Sequence, residues 1–408
     1  MQSKGLFDDF PNVNDLMTWY EQQETITMLD VNAHIHTPYS FSAFKNIEEA
    51  VKQAAEENVQ VLGINDFLVT KGYDEFIEKC KASGVFPLLN IEFIGVKKDA
   101  QENNIRINDP NNPGRIYVSG KGLKQSPELS KALQAKLKSV IDAGQDQIEG
   151  MIEKLNELLQ PINSTIQFSM DEMYKVYAKH LIRERHLATA LRVKAEEVYK
   201  NEDERQAFYT SLFGGAPKSP LADFAALENE IRGKLLKAGG KAFIPEEESA
   251  FMSLQEINEV ILASGGITTY PLLLDNPNNE YTEFEGDKEA LFEVLTENNI
   301  SGIEFIPGRN DIKALTEYSE YFYSKGFVVT YGTEHNAPGK APIMISCRGK
   351  EGLSDVLKTI NYKGACVIAA HQFLSEKGGQ WYKGYQKEKR SELEDLGNAV
   401  INYYLSKK

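Results

Sequence analysis

The sequence predicts an α/β barrel that carries an inserted, mainly helical subdomain. Apolar, strand-like runs alternate with helical segments near both ends of the chain. Such alternation is typical of βαβ units that build a parallel sheet. Acidic or histidine side chains recur where several of these runs end, as in barrel enzymes. Between the two regions, from about Pro127 to Lys237, the pattern is helical, and this predicts the insertion.

The first region contains three predicted strands and two predicted helices. The strands are expected at 28–36, 60–67 and 85–96. Apolar residues at helical spacing predict a helix over 46–59, and a second helix over 73–84 ends in glycine. A turn-rich loop with a short strand at its end follows over 106–122.

The alternation resumes after the helical segment. A helix is predicted at 253–266, and strands are predicted at 266–275, 301–308 and 327–335, with helices between them. The total is six clear strands and a candidate seventh, which suits a small α/β barrel. We therefore expect residues 1–98 to form the first part of the barrel and residues 99–249 the insertion. Residues 250–408 would complete the barrel and add C-terminal helices.

Charge and composition limit the kinds of partner. The 408 residues carry a formal net charge of -15. This balance argues against a nucleic-acid surface, which needs a basic field, and against anionic membranes. No apolar run approaches the roughly 18 residues of a membrane span. A small anionic substrate is compatible with the negative net charge, because a few arginines in a pocket can set the local potential.

The cysteines and the N-terminus favour a cytoplasmic location. The three cysteines are odd in number and form no Cys-x-x-Cys pair, as expected for reduced thiols. The N-terminal sequence is acidic and interrupted by proline, unlike a secretory signal.

Two histidines at the end of the first strand are candidate metal ligands. His34 and His36 are two residues apart, so their side chains face the same way on a strand. Two imidazoles at a barrel mouth could hold one cation. The signal is weak alone, since two histidines can also fall near a loop by chance.

Acidic residues mark the ends of four other strands. Burying an acidic side chain within an apolar strand costs free energy unless the side chain is paired or bound to a metal. The alternative interpretation is a salt-bridged structural acid, and it has more weight for the first and third of this set. The four acids are Asp66, Glu92, Glu304 and Glu334.

Five short motifs together resemble the PHP (polymerase and histidinol phosphatase) domain family. They are HIHTPYS, GINDF, NIEF, GIEF and GTEH, in this order and at these strand ends. The resemblance spans roughly residues 28–96 and 250–347. It implies a distorted seven-stranded βα barrel, phosphoesterase activity and up to three metal ions at the barrel mouth.

The sequence departs from the family pattern at several expected ligand positions. Phe41, Phe67, Tyr117, Tyr270 and Asn336 stand where the resemblance implies histidine or aspartate. Phenylalanine cannot bind a metal, and a neutral tyrosine with a pKa near 10 is a poor ligand.

The ligands of one metal position remain. By the resemblance, these are His34, His36, Glu92 and Glu334. Two imidazoles and two carboxylates suit Zn, Mn or Fe better than Mg or Ca. We therefore expect about one divalent transition metal per chain, with Phe41 and Phe67 covering the place of a second ion.

Further residues are candidates for catalysis and substrate binding. Asp66 could be a general base or a partner that orients a metal-bound histidine. Arg309 could bind an anionic group with bidentate geometry. Lys121 and Arg183 could also reach the site, although any one of these cations is as easily a solvated surface charge. The candidate substrate-binding residues are Arg115, Tyr117, Arg185, His186, Tyr270 and His335.

The sequence favours a metal-dependent hydrolase similar to PHP phosphoesterases, with a small polar or anionic, phosphorylated substrate. The substrate would lie between the barrel mouth and the insertion. One alternative is an inactive barrel that binds a ligand or a partner protein, which the lost histidines favour. Another keeps the metal for carbonyl chemistry, such as amide hydrolysis or a lyase step.

Overall fold

The computed structural model describes residues 5–23, 28–274, 281–339, 341–377 and 387–407. Its centre is one sheet of seven strands whose order in the sheet follows the order in the chain. The strands are β1 (Asp30–Ile35), β2 (Val59–Phe67), β3 (Phe86–Val96), β4 (Arg115–Lys121), β5 (Ile267–Pro271), β6 (Gly302–Phe305) and β7 (Val328–Tyr331). The predicted strand 266–275 thus ends early, and its last position lies outside the described residues.

The sheet curls until its two edges meet. A parallel bridge joins Ile35 at the end of β1 to Glu334 just after β7. The His36 amide donates a hydrogen bond to the Glu334 carbonyl at 2.7 Å, and the Glu334 amide donates to the His34 carbonyl at 3.0 Å. The nearly closed seven-stranded barrel confirms the predicted fold class.

β4 makes the barrel irregular. It pairs antiparallel with both β3 and β5, whereas the other neighbouring strands pair parallel. Antiparallel neighbours need no crossover helix, so the regular strand–helix rhythm of the sequence is lost here. β4 lies within 99–249, the range expected for the insertion, so that range contributes one strand to the barrel. The domain boundaries themselves stay a prediction.

Helices surround the sheet and build the insertion. In chain order they are α1 (Val13–Glu21), α2 (Ile47–Glu56), α3 (Tyr73–Ser83), α4 (Lys98–Glu102), α5 (Lys131–Leu159), α6 (Met170–Glu172), α7 (Glu184–Val198), α8 (Glu202–Phe213), α9 (Phe224–Ile231), α10 (Leu254–Ala263), α11 (Lys288–Glu297), α12 (Ile312–Ser324), α13 (Asp355–Glu376) and α14 (Lys387–Ser406). No helix in the described part of the chain is long and apolar enough to cross a bilayer.

The C-terminal helices pack closely on the barrel. α13 is buried along most of its length, and a Cβ on its Gly364 would overlap the Val329 carbonyl of β7. A Cβ on Gly397 of α14 would in turn overlap the Cys366 carbonyl of α13. Glycine at both contacts therefore allows backbone to approach backbone.

The insertion has a hydrophobic core of its own. Apolar side chains from α5, α7, α8 and α9 form a cluster separate from those of the barrel, including Leu155, Leu191, Tyr209 and Leu227. The insertion is therefore a packed subdomain that can hold side chains firmly over the barrel mouth.

Candidate metal centre and active site

The two histidines of β1 and the glutamate of β3 meet in the barrel. The Nε2 atoms of His34 and His36 are 3.2 Å apart, and His36 Nε2 lies 3.4 Å from Glu92 Oε2. All three side chains are buried, and they can offer ligand atoms within 4.8 Å of one another. Two nitrogens bound tetrahedrally at 2.0–2.1 Å to one ion would be about 3.3 Å apart. The observed spacing therefore fits a single transition-metal ion.

Glu304 orients His34. Its Oε2 lies 2.8 Å from His34 Nδ1, so Nδ1 carries the proton and Nε2 presents a lone pair towards His36. Its other oxygen forms an ion pair with the buried Lys121 ammonium. Burial alone would raise the pKa of Glu304, but His34 and Lys121 together hold it at about 2. The Asn65 amide nitrogen also lies 3.0 Å from His34 Nε2 and contributes to this wall of the site.

Asp66 orients His36 through a hydroxyl. Ser40 Oγ donates to Asp66 at 2.6 Å and lies 3.3 Å from His36 Nδ1. The carboxylate also accepts from the Thr37 amide at 2.7 Å and from the Thr37 hydroxyl at 2.5 Å. Burial raises the pKa of Asp66, while His36 and the hydroxyl donors oppose that rise. These contacts match the orienting role expected for Asp66, and a general-base role stays a prediction.

Glu334 lies at the barrel closure in an unusual backbone conformation. Glu334 and His335 have φ angles of 62° and 53°, a left-handed region that non-glycine residues rarely adopt. The Glu334 carboxylate accepts from Arg309 at 2.9 Å and from Asn336 at 3.3 Å. Its direct role as a metal ligand stays a prediction, because the compact ligand group comprises His34, His36 and Glu92.

The protein around Glu92 favours the neutral form of its carboxyl group. Burial raises the pKa of Glu92 to about 8, and Glu334 and Glu304 add to that rise while His34 opposes it. A cation beside Glu92 would stabilise its ionised form. Burial lowers the pKa of His36 to about 4, so its ring is neutral at pH 7, as a ligand must be. The chemistry of the donor set is thus suited to a metal.

The two phenylalanines at the expected ligand positions line the mouth. Phe67 stacks on His36, with ring centroids 4.9 Å apart and planes inclined by 21°. The Arg183 guanidinium also lies over this ring, 4.7 Å from its centroid. Phe41 likewise lies 5.7 Å from the Arg185 guanidinium. Each aromatic replacement therefore supports an arginine of the insertion.

A cavity of about 310 Å³, the inner cavity, opens above the candidate metal ligands. Its floor includes Glu92 and Glu334, and Phe41 and Phe67 form part of its walls. Its lining cations are Arg183, Arg185, Arg232, Lys237 and Arg309. Burial lowers the pKa of Arg185 to about 10, and the charges of Arg232 and Arg183 add to this effect. The same lining holds four carboxyl groups, so the five cations exceed the acids by one: Glu92, Asp109, Glu184 and Glu334. A small excess of positive charge is suited to an anionic ligand.

Three predicted substrate-binding residues lie at or beside this space. Tyr117 and Arg185 line the inner cavity. Arg115 lines the neighbouring cavity and pairs with Glu246 at 3.1 Å. Their positions agree with the predicted roles, which stay predictions.

The other three lie further from the cavities. His186 Nδ1 accepts the Arg183 amide hydrogen at 2.9 Å, caps α7, and contacts Phe41 edge to face. Tyr270 is fully buried with its hydroxyl 3.1 Å from Glu285, and His335 stacks on Phe44. Neither Tyr270 nor His335 lines the inner cavity. Direct contact between substrate and either residue is therefore not supported by this arrangement.

Sequence reasoning missed several participants. Lys121 was considered as a cation reaching in from outside, whereas it lies buried beneath His34 as the partner of Glu304. A lysine within the apolar strand β4 was the available signal, because a buried charge requires a partner. Arg232 and Lys237 line the inner cavity from the helical segment, and their spacing gave no signal of it.

A family model for the PHP domain matches residues 32–182. The matched range contains β1 to β4 and the beginning of the insertion, and the match confirms the resemblance that the motifs indicated. No curated protein matches the sequence.

Two solved structures are similar to this chain. One is a provisionally named metal-dependent phosphoesterase from Bifidobacterium adolescentis, with 17% sequence identity, a TM-score of 0.51, and coverage of 81% of this chain and 99% of that chain. The other is an amidohydrolase from Chromobacterium violaceum with bound sulfate and no metal, with 17% identity, a TM-score of 0.49, and coverage of 78% and 93%. At this identity, the first likeness shows that the fold is shared.

Proposed function

We propose that the protein is a metal-dependent hydrolase, because a family model for the PHP domain matches residues 32–182 of this chain. Its site would hold one divalent transition metal and act on a small, anionic, phosphorylated substrate. The observation that carries the proposal is the buried group of His34, His36 and Glu92 beneath a cavity lined by arginines.

Separate sets of residues would bind the metal ion and orient its ligands. His34, His36 and Glu92 would hold the ion, with Glu334 as the fourth ligand. When bound, such an ion lowers the pKa of a water molecule or polarises a phosphoryl oxygen. Glu304 and the Ser40–Asp66 pair fix the two imidazoles, so that little reorganisation is needed.

The arginines at the mouth would bind the anionic group. Arg183 and Arg185 come from the insertion, and Arg309 follows β6 on the barrel. Guanidinium groups bind phosphate oxygens in bidentate geometry and remain charged at all working pH values. They would supply the positive charge that additional metal ions supply in a site with more ligands.

A second candidate, an inactive barrel that binds a ligand, is favoured by one observation. Two acids of the site already have cationic partners within the protein, since Glu304 pairs with Lys121 and Glu334 pairs with Arg309. Phe67 also covers one face of His36. A barrel that has replaced metals by internal cations would show these contacts.

Metal content separates the two candidates. We expect about one equivalent of Zn, Mn or Fe per chain when protein purified without chelator or affinity metal is analysed by elemental mass spectrometry. His34→Ala and Glu92→Gln should each remove the metal, because each deletes a ligand. Tyr270→Phe should retain it, because the Tyr270 hydroxyl bonds to Glu285.

The remaining outcomes are equally informative. Two or three equivalents per chain would show that other side chains replace the missing ligands. No metal, even after reconstitution of the folded protein, would reject the hydrolase and favour the binding barrel. Circular dichroism of each variant checks that loss of metal does not follow from loss of the fold.

A further inference from the structure

A second, larger cavity lies beside the inner one. This outer cavity has a volume of about 570 Å³ and lies between β4 and helix α5 of the insertion. Phe67, Tyr117 and Arg183 line both cavities, so the two spaces adjoin at these side chains. A ligand with its anionic group in the inner cavity could therefore extend outwards into the outer one.

The outer cavity has a different chemical character. The charged side chains that line the outer cavity alone are Arg115 and Glu246, and they form an ion pair at 3.1 Å. The other charged residues of its wall also line the inner cavity, where the two spaces adjoin: Asp109, Arg183, Glu184, Arg232 and Lys237. Other parts of its wall are amides and rings, including Asn111, Asn112, Gln147 and Phe251. Amides donate and accept hydrogen bonds, and rings provide flat apolar contact. Such a wall suits an uncharged group with many hydrogen-bonding atoms.

The size of the outer cavity also indicates its ligand. Ligand pockets commonly enclose about 300–1,000 Å³. The inner cavity, at about 310 Å³, is sufficient for a phosphate and a few attached atoms. The outer cavity adds about 570 Å³, which a small ester would leave filled with water.

Helix α5 contributes a glycine where it borders this space. A Cβ built on Gly144 would meet no atom within 4 Å. Glycine within a helix is less favourable than alanine, and here no close packing requires it. The missing side chain keeps room in the cavity wall.

We propose that the outer cavity is a subsite for a bulky, uncharged, hydrogen-bonding organic group that is joined to the anionic group of the substrate. The proposal rests on the proposed function, because the inner cavity must hold the anionic group. Under this proposal, the protein prefers large phosphorylated substrates, of the size of an oligosaccharide phosphate, to small phosphate esters.

Filling the outer cavity tests this assignment. The protein is reconstituted with Zn²⁺ or Mn²⁺, and kcat/KM is measured for methyl phosphate and for sucrose 6-phosphate. Wild type should prefer the bulky ester. Gly144→Leu places a side chain in the open space, and we expect the ratio of kcat/KM for the bulky ester to that for methyl phosphate to fall at least tenfold. Gly144→Ala should cause a smaller fall.

Binding provides a second readout and a matched control. The dissociation constant of sucrose 6-phosphate, measured by calorimetry, should rise in Gly144→Leu by a similar factor. Glu149→Leu places the same side chain on an exposed position of the same helix and should change neither quantity. Thermal melts of the three variants check their folding.

The possible failures differ for the two proposals. Hydrolysis of both esters, with a ratio unchanged in Gly144→Leu, would overturn the subsite and leave the hydrolase intact. A wild-type preference for methyl phosphate would have the same meaning. Absence of hydrolysis and of binding with either metal would overturn the proposed function, and the subsite with it.

Discussion

Buried charges are the most informative feature at the scale of single residues. Lys121 is almost inaccessible to solvent, yet its ammonium lies against the Glu304 carboxylate and 3.3 Å from Asn65 Oδ1. Burial lowers the pKa of Lys121, and Glu304 opposes that change. Because Glu304 also holds His34, a lysine remote from the mouth helps to fix the orientation of a candidate ligand.

We expect Lys121→Met to reduce the free energy of unfolding by about 3–5 kcal/mol, because it leaves Glu304 buried beside a neutral partner. The double variant Lys121→Met/Glu304→Gln should recover much of that loss, since glutamine keeps an acceptor for His34 without the charge. Urea unfolding followed by circular dichroism measures both. If the single variant were as stable as wild type, the ion pair would not contribute to the stability of the fold.

At the scale of elements, the environment of a side chain depends on which helix presents it. His371 belongs to α13, which is buried along most of its length, and lies 2.6 Å from the Gly265 carbonyl just beyond α10. Burial lowers the pKa of His371 to about 4, while the contact with Gly265 opposes that shift. Its burial and this contact identify His371 as a packed residue of the core.

This histidine should make stability depend on pH. Its pKa is lower in the folded than in the unfolded protein, so its contribution is complete above pH 6.5. Below that pH the His371 imidazole is protonated in the unfolded chain but not in the folded protein. The free energy of unfolding therefore falls by about 1.4 kcal/mol per pH unit until about pH 4.

His371→Gln keeps a donor for Gly265 and removes the titration. Unfolding free energies of wild type and variant, measured from pH 7.5 to pH 4.5, should therefore converge as the pH falls, or the variant should become the more stable. The comparison cancels the other histidines, which titrate in both proteins. Parallel curves would show that His371 does not bind the proton on unfolding.

At the scale of the whole molecule, the site is built by two packed units. The barrel supplies the candidate metal ligands and Arg309, while Arg183 and Arg185 belong to the insertion with its separate core. Neither unit alone encloses the inner cavity. The anionic group of a substrate would therefore contact both at once.

Removing one arginine from either unit should weaken anion binding. We expect Arg185→Ala and Arg309→Ala each to raise the dissociation constant of inorganic phosphate for the metal-loaded protein by about 10–100-fold, as for loss of a charged hydrogen bond. Calorimetry measures the constants. Arg205→Ala, on α8 and away from both cavities, should leave them unchanged. An effect confined to one unit would place the anion there alone.

The local sequence determined much of the architecture. β1 to β3, α2 and α3 lie where apolar periodicity predicted them, because burial on one face leaves a pattern in the chain itself. The spacing of His34 and His36 also fixed their common direction on a strand. These are properties of neighbouring residues, which a sequence displays directly.

Only the tertiary structure decided what surrounds each candidate metal ligand. The chain separates Lys121 from Glu304 by 183 positions, and Asp66 from Ser40 by 26, yet both pairs are in contact. The tertiary structure likewise brings Arg183 over Phe67 and places Tyr270 outside the inner cavity. Contacts between distant segments depend on how the barrel closes and how the insertion packs upon it. A single sequence records which residues can take part, but the packing of the whole molecule decides which of them meet.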